Sequence, residues 1–129
     1  MTHALIIRDP WVGLIMSGKK TWEMRSTNTK MRGLVGLIRQ GSGQVVGLAN
    51  LIETLPALTS DDYARFESYH QIPLKDQPAA ISRRWTRPWV FAAARSIPKP
   101  ISYEHGSGPV TWIKLHAEVV SAIRIQIPA

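Results

Sequence analysis

At 129 residues and without a cysteine, the chain has the length of one domain that buries its core unaided, and disulfides and thiolate metal sites are excluded. A net charge of +7 with a sequence pI near 10.3 turns the surface toward anionic partners, nucleic acid first among them. The histidines His3, His70, His105 and His116 lack ligand spacing and no apolar run reaches a membrane span, so the expectation is a cytoplasmic protein with no metal.

The run ALIIR, residues 4–8, reads as a short strand, and Asp9 followed by Pro10 reads as an N-cap and first helical residue. A helix is expected over residues 10–17 with Trp11, Leu14 and Ile15 as its buried stripe, closed by Gly18 in a left-handed cap. The pattern then switches to period two. An extended strand over residues 21–25 puts Thr21, Glu23 and Arg25 on one face and sends Trp22 and Met24 inward. Lys20, at the turn, reaches over the polar face, so an ammonium and a carboxylate share one small cleft.

Residues 26–33, STNTKMRG, form a polar basic loop in which Ser26, Thr27, Asn28 and Thr29 offer hydrogen bonds and Lys30 and Arg32 offer charge. That composition suits a phosphate site as well as a solvated connector. Two β-rich runs, 34–39 and 45–51, flank QGSG and predict a hairpin, with Gly36 and Gly47 marking bulges or bends. Thr59, Ser60, Asp61 and Asp62 announce a second helix over residues 61–69, stopped before Pro73. Glu67 and His70 near its end have acid–base chemistry, but a lone carboxylate on an exposed helix face is ordinarily just solvated.

Residues 75–78 read as a polar break and residues 79–85 as a third helical turn, where Arg83 and Arg84 precede Trp85, with Arg87 and Trp89 soon after. Interleaved basic and aromatic residues suit stacking and phosphate contact on a single strand, although tryptophans in a small domain commonly fill the core. Residues 89–94 read as a buried strand. Pro98 and Pro100 keep the next segment extended and unable to donate ladder bonds there. A loop over 104–109 and a strand over 110–115 with Trp112 follow, and residues 116–127 fit either a closing helix or a strand. The sum is an α+β fold, a small and mostly antiparallel β-barrel flanked by short helices, in a single domain over residues 1–129.

The run PWVGLIMSGKKTWEMRS resembles the ASCH domain, whose signature GxKxxExR is met by Gly18, Lys20, Glu23 and Arg25. The resemblance implies a PUA-like barrel with a cleft beside the motif and RNA or a modified nucleoside as partner, with no cofactor. With the motif so placed, Lys20 and Glu23 are the candidate catalytic pair, Glu23 as activator of water, and Arg25, Ser26, Thr29, Lys30 and Trp89 are the candidate ligand-binding residues. Similar proteins divide into RNA binders and hydrolases, the latter acting on the N4-acetyl amide of acetylcytidine or on RNA. In the amidohydrolase branch Lys20 matches the catalytic lysine, while Glu23 stands where that branch has threonine, and Glu67 is a loose match for its further glutamate. A module that recognises an acidic protein partner is the reading from a third class.

Overall fold

The computed structural model describes residues 1–106 and 110–127. In chain order the elements are β1 (His3–Ile7), α1 (Trp11–Met16), β2 (Trp22–Arg25), β3 (Gly33–Arg39), β4 (Gln44–Thr54), α2 (Ser60–Arg65), α3 (Glu67–His70), a 3-10 turn (Leu74–Asp76), α4 (Gln77–Ser82), β5 (Arg87–Ser102), β6 (Trp112–Lys114) and α5 (Ala117–Gln126). The strands form one six-stranded sheet in the order β2-β5-β4-β3-β1-β6, curled into a half-barrel. The pairing of β1 with β3 is parallel and the others are antiparallel, as the sequence pattern anticipates.

Alternation along the strands sorts side chains to two cores. Leu5, Ile7, Val35 and Leu37 pack with Val12 and Ile15 of α1 inside the curl, and Ala4, Ile38 and Leu48 pack with Val119 and Ile123 of α5 outside it. A third cluster joins Trp22 and Met24 of β2 to Tyr63, Ile72 and Ala80 of the helical segment. Gly47 stands where the pairing of β4 with β5 shifts register, which explains why alternation fails across it. Gly36 has a different role, because a Cβ there would lie 3.0 Å from the Ala4 side chain.

Several expectations are corrected. Asp9 does not cap α1; its carboxylate pairs with Arg39, and Pro10 takes the cap position. The buried face of α1 is Val12 and Ile15, with Trp11 and Leu14 half-buried, because the helix begins one residue later than proposed and is rotated on the sheet. The single helix over 61–69 is two, broken at Phe66, whose φ of −102° and ψ of 25° leave the helical well. Thr59 caps the first of them by accepting the Asp62 N–H at 3.2 Å. The break over 75–78 is a 3-10 turn leading into α4, which ends before Trp85. β5 runs far beyond residue 94, and Pro98 and Pro100 fall in the register gap between Ser96 and Ile101, where no ladder bond is asked of them. The strand over 110–115 narrows to β6, and residues 116–127 resolve as helix α5. Of the loop over 104–109, residues 107–109 lie outside the described residues. Among the described residues no helix is long and apolar enough to cross a membrane.

Candidate functional site

Gly18 adopts a φ of +84° just past α1, and its N–H and that of Lys20 return to the carbonyls of Ile15 and Leu14, each at 3.0 Å. A side chain would strain that conformation, so glycine here lets the helix end abruptly and start β2 within four residues. The turn is tied to α3 as well: the Thr21 N–H donates to the Tyr69 carbonyl at 3.0 Å and the Lys20 ammonium to the His70 carbonyl at 2.5 Å. These are end-of-helix carbonyls without intrahelical partners, and the motif supplies the missing donors.

Lys20 is 1% exposed and lies over the Trp11 ring at 4.8 Å, with Glu23 Oε1 at 3.8 Å. Burial pushes its pKa down to about 8; Glu23 works against that fall and Arg25 adds to it. The ammonium does not reach the cleft. It turns back toward α3 and stands behind Glu23, so the expected sharing of one cleft by both charges holds only for the carboxylate.

Glu23 is almost fully buried, although on the polar face of β2, because Lys20 and Arg25 pack against its carboxylate and the helical segment covers the opposite face of the strand. Its Oε2 accepts from Arg25 Nε at 3.2 Å and lies 3.1 Å from Nη2 in the same ion pair. Arg25 Nη2 also donates to the Ile6 carbonyl of β1 at 2.8 Å, bridging two strands that share no ladder. The guanidinium lies 5.4 Å from the Trp89 ring centroid.

Glu23 and Arg25 open on a cleft of about 300 Å³, bounded by Arg8, Trp11, Gln40, Ile72 and Trp85 among others. Arg8 Nε donates to Gln40 Oε1 at 3.1 Å, so two more polar side chains are already ordered there. The cleft therefore offers a carboxylate acceptor, guanidinium and amide donors, and two indole rings.

Other expected site residues lie elsewhere. Trp89 is 1% exposed, stacked on Trp112 with centroids 6.0 Å apart, and donates Nε1–H to the Thr27 carbonyl at 3.0 Å. Its faces belong to Trp112 and Arg25, so it is a core residue, and the indoles that line the cleft are those of Trp11 and Trp85. Ser26, Thr29 and Lys30 sit in the loop after β2 and do not line the cleft. Thr29 Oγ1 accepts the Met31 N–H at 3.2 Å, and Asn28 Oδ1 accepts the Thr29 N–H at 2.9 Å, so the loop uses these groups internally. His70 is wholly buried and Glu67 accepts from Gln77 Nε2 at 3.1 Å; neither lines the cleft. Arg8 and Gln40 were missed. Arg8 ends an obvious strand beside a helix start, a position that signals a mouth residue, but nothing local marks Gln40. Among the described residues, no cluster of three or more metal-ligating side chains occurs.

The ASCH domain family model matches residues 5–101. No curated protein matches the chain. Among solved structures, the chain is similar to an ASCH protein from Zymomonas mobilis, with a TM-score of 0.74 at 14% identity over 97% of this chain and 94% of that one. Two single-site variants of that bacterial protein superpose similarly, with TM-scores of 0.72 and 0.71 at 14% and 15% identity; coverage of this chain is 94% in both cases, and of theirs 94% and 92%. At such identity these likenesses establish the fold alone. The family match over three-quarters of the sequence, together with a motif turn and half-barrel of the expected kind, means that this chain belongs to the ASCH domain family, within the PUA-like superfamily.

Proposed function

We propose that the cleft holds an unstacked base of RNA, or a modified nucleoside, and that the protein does this in the cytoplasm. The observation that carries the reading is the Glu23–Arg25 pair opening between Trp11 and Trp85. A flat ring with donors and acceptors on its edge is what such a cleft recognises: the carboxylate accepts from an exocyclic amine, the guanidinium donates to a ring nitrogen or carbonyl, and the indoles cover the face. A volume of about 300 Å³ lies at the small end for ligand pockets and suits one nucleoside. Lys30 and Arg32, exposed in the loop beyond β2, are at hand for the phosphates of a longer ligand.

A hydrolytic second reading is favoured by one observation, the lowered pKa of Lys20 beside Glu23. Since Lys20 stands behind Glu23, it would act by positioning and polarising that carboxylate while Glu23 takes a proton from water.

Titration of tryptophan fluorescence with cytidine, N4-acetylcytidine and single-stranded RNA, each at low and high salt, tests both. Binding that is lost in Glu23→Gln, with RNA affinity falling steeply as salt rises, supports the first reading. Release of acetate or RNA fragments that stops in Glu23→Gln supports the second. Absence of saturable binding by all three ligands sinks both.

A further inference from the structure

The other face of β2 carries a second concavity. Trp22 forms its floor, the extended segment 55–58 one wall, and Phe66 and Tyr69 the other, enclosing about 480 Å³. Tyr69 stacks on Trp22 with centroids 4.7 Å apart while remaining 45% exposed, and Phe66 is tilted against Trp22 at 5.3 Å. The wall is held in place by Leu55 and Leu58, whose N–H groups donate to the Pro88 and Thr86 carbonyls at 2.9 and 2.8 Å. Six of the lining residues besides Trp22 are apolar or aromatic, and the one charged residue is Asp62.

The segment that supplies this groove carries a charge opposite to that of the whole chain. Residues 53–76, which supply every lining residue except Trp22, contain Glu53, Asp61, Asp62, Glu67 and Asp76 against only Arg65 and Lys75, in a chain of net charge +7. Glu53, Asp61 and Asp76 are exposed, and Asp62 meets Arg65 only at 3.8 Å on the surface, too loosely to neutralise it. Tyr69 and Leu74, two of the five large apolar side chains exposed among the described residues, belong to the same stretch, and Ile52 immediately precedes it. Asp62 in the lining and the exposed Asp61 next to it disfavour phosphates, and an aromatic floor has no use for them.

We propose that this groove docks a basic protein segment, an extended peptide that seats an aliphatic or aromatic anchor on Trp22 and Tyr69 and sets lysine or arginine against Asp61 and Asp62. Aromatic grooves with a charged rim bind extended peptides in this way, and the anchor carries most of the affinity. The domain then has two faces separated by one strand, with Glu23 on the cleft side and Trp22 on the peptide side. The inference does not depend on what fills the cleft.

A random peptide library displayed on phage, panned against the full chain and counter-selected on Tyr69→Ala, tests it. The expected winners are net positive with at least one large apolar residue, and as synthetic peptides they shift the Trp22 indole resonance saturably. Tyr69→Ala weakens them by about tenfold and Asp62→Lys by about fivefold or more, and added salt weakens them further. Both substitutions are at the surface, and unchanged circular dichroism with unchanged amide resonances away from the groove shows that the fold survives. Acidic or uncharged winners, winners indifferent to Tyr69, or peptides that shift residues around Arg25 instead of Trp22 overturn the proposal. Reversible dimerisation abolished by Tyr69→Ala also overturns it, since the occupant is then a second copy.

Discussion

The ammonium of Lys20 is bound to the main-chain carbonyl of His70 at 2.5 Å, whereas the nearer oxygen of Glu23 is 3.8 Å away. The motif lysine thus fastens the turn after α1 to the end of α3, and Glu23 keeps its closer contact with Arg25. His70 is itself fixed from both ring nitrogens: Nδ1 accepts the Ile72 N–H at 3.0 Å, which leaves the proton on Nε2 to donate to the Tyr63 carbonyl at 2.6 Å. Because Ile72 lines the cleft, one buried chain of contacts runs from Lys20 through His70 to the cleft wall.

Lys20 makes stability depend on alkaline pH. Its pKa falls from 10.5 to about 8 on folding, so between those values the unfolded chain binds the extra proton and stability rises with pH. Between pH 8 and pH 10 the gain is on the order of 2 kcal/mol. Tyr63, pushed above its ordinary 10.0 chiefly by burial, reverses the slope beyond that point, because the unfolded phenol ionises first. Denaturant unfolding across this range should show the rise in the parent and lose it in Lys20→Met.

Glu23→Gln should lower the Lys20 titration midpoint below about 8, since the carboxylate is what holds it up against burial. The Cε carbon shift of Lys20, followed by NMR against pH, reads this directly. The same variant leaves Arg25 without its counter-charge and should weaken any cleft ligand by about tenfold or more.

His70 acts on the acid side. Burial, the largest influence, holds its pKa below the ordinary 6.5, so the folded chain keeps it neutral while the unfolded chain takes up a proton. Stability should therefore fall as pH drops below 6.5, and the fall should end once the folded pKa is passed. His70→Asn, which keeps an acceptor for the Ile72 N–H but cannot titrate, should flatten that slope in urea unfolding at matched pH values.

Two glycines should respond in opposite directions. A Cβ on Gly47 would sit 2.5 Å from Met16 Sδ, which can swing aside, and 2.8 Å from the Arg95 carbonyl, which is backbone, so Gly47→Ala must strain the pairing of β4 with β5 and should cost about 2 kcal/mol. Gly13, within α1, meets nothing within 4 Å, and Gly13→Ala should stabilise by about 0.5–1 kcal/mol. Thermal unfolding of the two variants beside the parent checks both signs.

Much of this molecule is readable from local chemistry. Gly18 announces a left-handed cap, Gln40 to Gly43 announce a hairpin, and Lys20, Glu23 and Arg25 fall at one strand end because their spacing is local. Direction was harder. Whether the Lys20 side chain faces the cleft depends on the His70 carbonyl fifty residues away, and Trp89 is core because Trp112 and Arg25 cover it. Phe66 breaks a helix that its flanking residues favour, since it packs on Trp22. These are outcomes of tertiary packing, which no window of the sequence contains.

Arg25 joins the edge strand β2 to β1 through a side chain, Nη2 to the Ile6 carbonyl, although the two strands share no backbone pairing. A ligand that draws Nη2 itself away frees the carbonyl, so filling the cleft in that way and holding the seam compete for this nitrogen. The separation of the two strands at Arg25 and Ile6 is then a gauge of occupancy, and amide exchange along β1 should report it.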